Sequence, residues 1–129
     1  PLPSYRYSMP SAPPVVSRVI PTKLSDHQID EALRAVPEWS LVGESIQRTF
    51  QFLDFINAMK FVKDVAAAAE SAQHHPDILI RYSRVTLTLA THDAGGITER
   101  DFVLAKKSDA FAARHEGPKA QPAGKTKKA

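Results

Sequence analysis

Seven residues between positions 70 and 101 carry side chains suited to moving a proton or to shaping a pocket for one that does: Glu70, His74, His75, Pro76, Tyr82, His92 and Asp101. Three of the five histidines of the chain lie among them. Imidazole exchanges a proton near neutral pH, and carboxylates are its usual partners, so this set points to general acid–base chemistry. The residue before a proline is pushed out of the α region, so Pro76 ends the alanine-rich helix expected before it and leaves His74 and His75 at the helix end. Glu70 precedes His74 by four residues; if the last helical turn holds, carboxylate and imidazole share one face. A carboxylate neighbour and the negative end of a helix both suit a histidine that gives a proton away.

Imidazole and carboxylate also bind zinc, but adjacent residues of an extended segment point apart. The pair of histidines four residues apart that a zinc-binding helix presents is missing. Each candidate also has a plain structural role open to it. Glu70 can be a solvated helix-end acid, Pro76 a helix stop, Tyr82 a strand residue and Asp101 a helix cap, the last being the stronger reading for Asp101. His74 and His92 lie at element ends, where side chains reach a cleft, and there catalysis is the stronger reading. His75 is open between ligand contact and loop support.

The elements that must position these groups follow from pattern. Ser25 with Gln28 forms a capping box, with a staple between Leu24 and Ile29, and opens a helix whose apolar stripe is Ile29, Leu33 and Val36 before Pro37 stops it. His27 falls on its solvated side. Residues 39–42 and 46–52 flank Gly43-Glu44-Ser45, and the alternation Ile46, Arg48, Phe50, Phe52 against Gln47, Thr49, Gln51 predicts a half-buried antiparallel pair. Arg48 breaks the apolar parity, which leaves it to snorkel to an edge or to meet a partner chain. Asp54 caps a central helix carrying Phe55, Met59, Val62, Val65 and Ala69.

Residues 78–82 and 85–91 then predict a hairpin around Ser83-Arg84. Val85, Leu87 and Leu89 share one face, and His92 continues the parity of Thr86, Thr88 and Ala90. After Ala94-Gly95-Gly96, Thr98 and Asp101 resemble a capping box, with Ile97 and Phe102 as its staple, for a last helix resting on Phe102, Ala105 and Phe111. The order α-β-β-α-β-β-α predicts an α+β fold, three helices packed on one face of a four-stranded antiparallel sheet.

The chain has 129 residues, enough for one domain and few enough that oligomerisation would help it. It has no cysteine, so disulfides and thiolate metal sites are excluded. No apolar run approaches the ~20 residues of a membrane span, so a soluble, cytoplasmic protein is expected. The net charge of +3 is carried by the ends: residues 26–116 hold ten Lys and Arg against fourteen Asp and Glu. That balance argues against direct nucleic-acid binding by the domain. Residues 1–21, with six prolines and no acid, read as an extended or disordered arm for which organellar targeting is one possibility; residues 22–114 read as the domain and 115–129 as a disordered basic tail.

The spacing Glu-x3-His-His-Pro-x5-Tyr-x9-His-x8-Asp, carried by Glu70 to Asp101, resembles the signature of the pterin-4a-carbinolamine dehydratases, also called 4a-hydroxytetrahydrobiopterin dehydratases. The similarity extends to Phe52–Phe55, Thr91–Asp93 and Thr98–Asp101 and covers roughly residues 24–110. The resemblance implies the same α+β fold and a lyase that eliminates water from 4a-hydroxytetrahydrobiopterin to give quinonoid dihydrobiopterin, with no metal or organic cofactor. It implies His74 and His92 as acid and base, Glu70 orienting His74 or contacting the ring, and His75, Pro76, Thr91 and Asp93 shaping the pocket. Ile78 stands where an aromatic residue often occurs in the family, and Ala94 where a polarisable one can; both bear on affinity. Family members form dimers and tetramers, and the two open edges of a four-stranded sheet agree with a homo-oligomer held by a sheet edge and a helical face. Others of the family act as dimerisation partners of a transcription factor or as assembly factors, so an interaction role on the same fold is the alternative, and another enzyme of pterin or folate-like rings a third.

Overall fold

A computed structural model describes residues 21–115 of the chain. Helix α1 (Asp26–Leu33) is followed by strands β1 (Ser40–Val42) and β2 (Ser45–Gln51), helix α2 (Phe55–Ala72), strands β3 (Asp77–Arg81) and β4 (Arg84–Leu89), a 3-10 turn (His92–Ala94) and helix α3 (Glu99–His115). The strands form one antiparallel sheet in the order β1-β2-β4-β3. This is the expected α+β arrangement. Most of the arm and of the basic tail expected from composition lies outside the described residues; His115, assigned to the tail, is the last residue of α3 and bonds Asp64 of α2 at 2.7 Å.

One face of the sheet is apolar and the other polar, which is why the helices share a side. Ile46 and Phe50 on β2 and Val85, Leu87 and Leu89 on β4 are buried against Ala58, Phe61, Val65 and Ala69 of α2 and Phe102, Leu104 and Ala105 of α3. On the opposite parity, Gln47 Nε2 donates to Thr88 Oγ1 at 3.0 Å and Thr49 pairs with Thr86 through their hydroxyls at 2.7 Å. Phe61 sits at the centre, its ring 4.6 Å from Phe50 and 4.9 Å from Phe52. Burial of each such ring contributes on the order of 2 to 3 kcal/mol.

The structure moves several expected boundaries. Helix α1 ends at Leu33, and Val36 is buried from a following turn in which its N–H reaches the Leu33 carbonyl at 3.0 Å. The α2 core face is Ala58, Phe61, Val65 and Ala69, whereas Phe55 is 44% exposed and Met59 and Val62 are half-buried; a stripe begun one turn early rotates onto the helix flank. The second hairpin turns through Tyr82-Ser83 instead of Ser83-Arg84, with Arg81 opposite Arg84. Tyr82 takes the left-handed conformation there (φ 54°), and buried Ser83 is held by its carbonyl on the Phe52 N–H at 2.9 Å. That backbone bond offsets the weak turn propensity of Tyr.

Arg48 neither reaches an edge nor awaits a partner chain. Its guanidinium stacks 4.2 Å over the Phe50 ring and donates to Asp109 Oδ1 at 2.7 Å, the same oxygen that accepts the Trp39 indole N–H at 2.8 Å. A charge on the apolar parity is tolerated because α3 carries its counterion.

Candidate functional site

Helix α2 closes three residues before Pro76. Gln73 adopts the left-handed conformation (φ 54°, ψ 43°), its N–H bonds the Glu70 carbonyl at 3.2 Å, and the His74 N–H reaches back to the Ala69 carbonyl at 3.0 Å. This pair of bonds is the Schellman closure. It removes His74 from the helical register, so Glu70 and His74 do not share a face. Glu70 Oε1 instead meets His75 Nε2 at 2.8 Å, and both side chains are largely exposed. The expected orientation of His74 by Glu70 is therefore corrected: the chain turns before the last turn could align them.

His74 turns inward to a different carboxylate. Its side chain is 9% exposed, and Nε2 lies 2.6 Å from Asp101 Oδ1. Asp101 is fully buried, and its other oxygen, Oδ2, accepts the Thr98 N–H at 2.9 Å and the Thr91 hydroxyl at 2.9 Å. The remaining protons can be followed one by one. Thr91 has spent its hydroxyl hydrogen on Asp101, so the 2.7 Å contact between Thr91 and Thr98 oxygens has Thr98 as donor, and Thr98 Oγ1 in turn accepts the Arg100 N–H at 3.2 Å. Every donor points toward Asp101, whose Oδ1 is left to accept from the ring. The arrangement fixes His74 in the tautomer with the proton on Nε2, leaving Nδ1 for a ligand.

Asp101 thus serves both as the helix cap expected of it and as the partner of His74, the second role missed in the sequence. The Thr98 hydroxyl also departs from a reciprocal capping box, since it accepts from Arg100 instead of Asp101.

His92 opens the 3-10 turn and is exposed, not placed by strand parity, because β4 ends at Leu89. The turn is pinned at its base, where the Thr91 N–H bonds the Gly96 carbonyl at 2.8 Å and the Gly95 N–H bonds the His92 carbonyl at 3.0 Å. Because Thr91 is bound to Asp101, the neighbouring His92 is tied through one residue to the His74 network. Asp93 is exposed on the same turn, and Pro76 is half-buried beyond His75. The structure therefore joins His74, Thr91, Thr98 and Asp101 in one bonded set and pairs Glu70 with His75 separately.

His74 also lines a groove of about 370 Å³ between the end of α2 and α3, whose walls are Ala68 and Ala72 on one side and Val103 and Leu104 on the other, with Glu99, Arg100 and Lys107 at the rim. His75 and His92 are not part of that groove. Among the described residues no three His, Cys, Asp or Glu side chains group as a metal site requires, and no helix is long and apolar enough to cross a membrane.

Comparison with known proteins finds similar chains. The family described as Pterin 4 alpha carbinolamine dehydratase matches residues 22–111. A protein of Picosynechococcus sp., provisionally named pterin-4-alpha-carbinolamine dehydratase, is 51% identical over 88 residues, 68% of this chain and 96% of its own. One of Acidobacterium capsulatum with the same provisional name is 53% identical over 89 residues, 69% of this chain and 97% of its own. Among solved structures, the transcriptional coactivator/pterin dehydratase of Brucella melitensis superposes with a TM-score of 0.69 at 42% identity, covering 70% of this chain and 99% of that one.

Proposed function

The chain belongs to the pterin 4 alpha carbinolamine dehydratase family, and from that premise we propose that it dehydrates 4a-hydroxytetrahydrobiopterin to quinonoid dihydrobiopterin, as a step of tetrahydrobiopterin recycling. In this reaction the C4a hydroxyl takes a proton and leaves as water, N5 gives up its proton, and the C4a–N5 double bond forms; no electron is gained or lost overall. One group must donate and another accept, which suits two histidines. The observation that carries the reading is the buried pair of His74 and Asp101, 2.6 Å apart, which holds an imidazole in a fixed orientation for proton transfer. Asp101 holds the His74 ring by Nε2 and presents Nδ1 to the substrate. His92, on its pinned turn one residue from Thr91, is the second proton-transfer group. Thr91 acts through Asp101, and Pro76 and Asp93 border the approach; Glu70 works with His75 at the surface, where the pair can touch the ring or the departing water.

Replacing His74 or His92 by Ala should each lower kcat by about 10² or more, the low end for a positioned acid or base, measured by stopped-flow absorbance where the enzymatic step limits the rate. Wild-type turnover in both variants under those conditions would falsify the assignment.

Among the described residues no strand pairs with the outer edges of β1 and β3, and Leu79 of β3 is exposed, which supports a homodimer or homotetramer. A second reading, an interaction role, is favoured by the contiguous exposure of Leu53, Phe55 and Ile56 at the start of α2 and by the double name of the Brucella relative.

A further inference from the structure

The turn that carries His92 is held from two sides. On one, the Thr91 hydroxyl is bound to Asp101 at 2.9 Å. On the other, Gly96 closes the turn by an antiparallel bridge to Thr91, and the next residue, Ile97, accepts the Leu24 N–H on its carbonyl at 2.9 Å. That second leg is covered by two charged residues distant in the chain. Lys23 precedes α1, Glu44 sits in the two-residue turn where Val42 lies opposite Ser45, and Lys23 Nζ is 3.7 Å from Glu44 Oε1. Both rest directly on Gly96: a Cβ there would stand 2.8 Å from Lys23 Cε and 3.0 Å from Glu44 Oε1. The two adjacent glycines therefore answer different needs. Gly95 turns the chain through the left-handed region (φ 78°), whereas Gly96 is buried without a positive φ, and its missing side chain leaves the space that the ion pair fills.

Resting on the assignment of His92 as the second proton-transfer group, we infer that Lys23 and Glu44 are positioning residues for it: by covering Gly96 they keep the turn from Thr91 to Gly96 in one shape and His92 in one place. The turn needs that support. Its own bonds are few, Ala94 N–H to the Thr91 carbonyl and Gly95 N–H to the His92 carbonyl, both 3.0 Å, and the Gly96 N–H reaches the Thr91 carbonyl only at 3.4 Å, a long contact. The side chains of Lys23 and Glu44 are 52% and 74% exposed, so the pair adds little to the stability of the domain. Its effect falls on the turn, where a small displacement of a proton-transfer group costs rate while the fold persists.

The test compares Glu44→Gln, Gly96→Ala, their combination, and the exchanged pair Lys23→Glu with Glu44→Lys, all in the full chain and all shown to be folded by circular dichroism. Glu44→Gln should lower kcat about two- to fivefold, the range of one solvated ion pair, with KM unchanged. Gly96→Ala should give a similar loss, because its methyl displaces the same two side chains, and the double variant should lose no more than either alone. The exchanged pair should recover most of the rate. Amide hydrogen exchange at Ala94 and Gly95 should speed up in Glu44→Gln by a similar factor, while the ring nitrogen shifts of His74 stay at their wild-type values. Additive losses in the double variant, no recovery in the exchanged pair, or faster exchange with unchanged kcat overturn the positioning role. Exchange needs no turnover and so separates the two readings. If exchange responds as stated while the wild-type protein dehydrates no carbinolamine, the dehydratase reading fails and the support of the turn stands; if turnover is normal and exchange in Glu44→Gln matches wild type, the positioning role fails and the dehydratase reading stands.

Discussion

Replacing Asp101 by Asn isolates what the buried carboxylate does for His74, because the side chain keeps its shape and loses only its charge and one acceptor. In the native arrangement Oδ2 takes two donors, the Thr98 N–H and the Thr91 hydroxyl, and Oδ1 takes the ring. An amide has one oxygen. Two fixed donors compete for it on the Oδ2 side, so the amide oxygen stays there and the NH2 group turns toward His74, 2.6 Å from Nε2 in the native contact. Two donors cannot face each other, so the ring must move its proton to Nδ1 and accept through Nε2. The nitrogen offered to substrate then changes from acceptor to donor. Loss of the charge-assisted bond should cost about 1.5 to 3 kcal/mol of stability, which a domain of this size can absorb, and kcat should fall by about 10² to 10⁴, the full contribution of the misassigned proton-transfer group. Stopped-flow dehydration gives the rate, thermal unfolding confirms the folded state, and nitrogen-15 chemical shifts of the His74 ring report the tautomer directly. A folded Asp101→Asn protein that keeps Nε2–H, or that turns over at the wild-type rate, would refute the assignment of roles in this network.

Other perturbations test the elements that carry the site. Gln73→Gly should raise stability by about 0.5 to 1 kcal/mol in denaturant titration, since glycine enters the left-handed region without the Cβ penalty; a loss would mean that the 2.8 Å bond from Gln73 Nε2 to the Glu70 carbonyl matters more than the backbone strain. Asp109→Ala should cost about 2 to 3 kcal/mol, because it strands both the Trp39 indole N–H and the Arg48 guanidinium; a change below 0.5 kcal/mol would mean that solvent replaces it. Truncation to residues 21–115, which keeps the His115 bond to Asp64, should leave the fold and turnover intact while moving the isoelectric point from basic to acidic, with circular dichroism and the stopped-flow assay as readouts; lost activity in a folded truncated chain would place one of the ends at the site.

Much of the fold was legible because its signals are local. The alternation of Ile46, Phe50, Val85, Leu87 and Leu89 sets the buried face of the sheet, and Ser25 with Gln28, and Asp54 by its own carboxylate, start two helices by the bonds their types suggest. What sequence reasoning missed depends on groups distant in the chain. Arg48 broke its pattern because the counterion sits 61 residues away on α3. The Tyr82 turn is braced by a backbone bond from Phe52 to Ser83 that no turn propensity encodes. Gln73 gives no hint of a left-handed closure, so the expected Glu70 and His74 pair rested on a turn that the chain does not make.

The position of Asp101 shows why its second role was invisible while its first was plain. A capping carboxylate needs only one oxygen for the helix, and the three-residue spacing from Thr98 reveals that bond. The other oxygen is free by valence, and in a fully buried position it must find a donor or cost several kcal/mol. The donor it finds is His74, 27 residues earlier, delivered by the closure of α2. One side chain therefore locks the first turn of α3 to the last residues of α2, and the ring that faces the groove is held by the same bonds that start the helix. The consequence is a coupling between stability and chemistry: a substitution that loosens the α3 start, at Thr98 or Thr91, should misplace the His74 ring before it unfolds the domain, because the ring depends on one hydrogen bond and the domain on its whole apolar core.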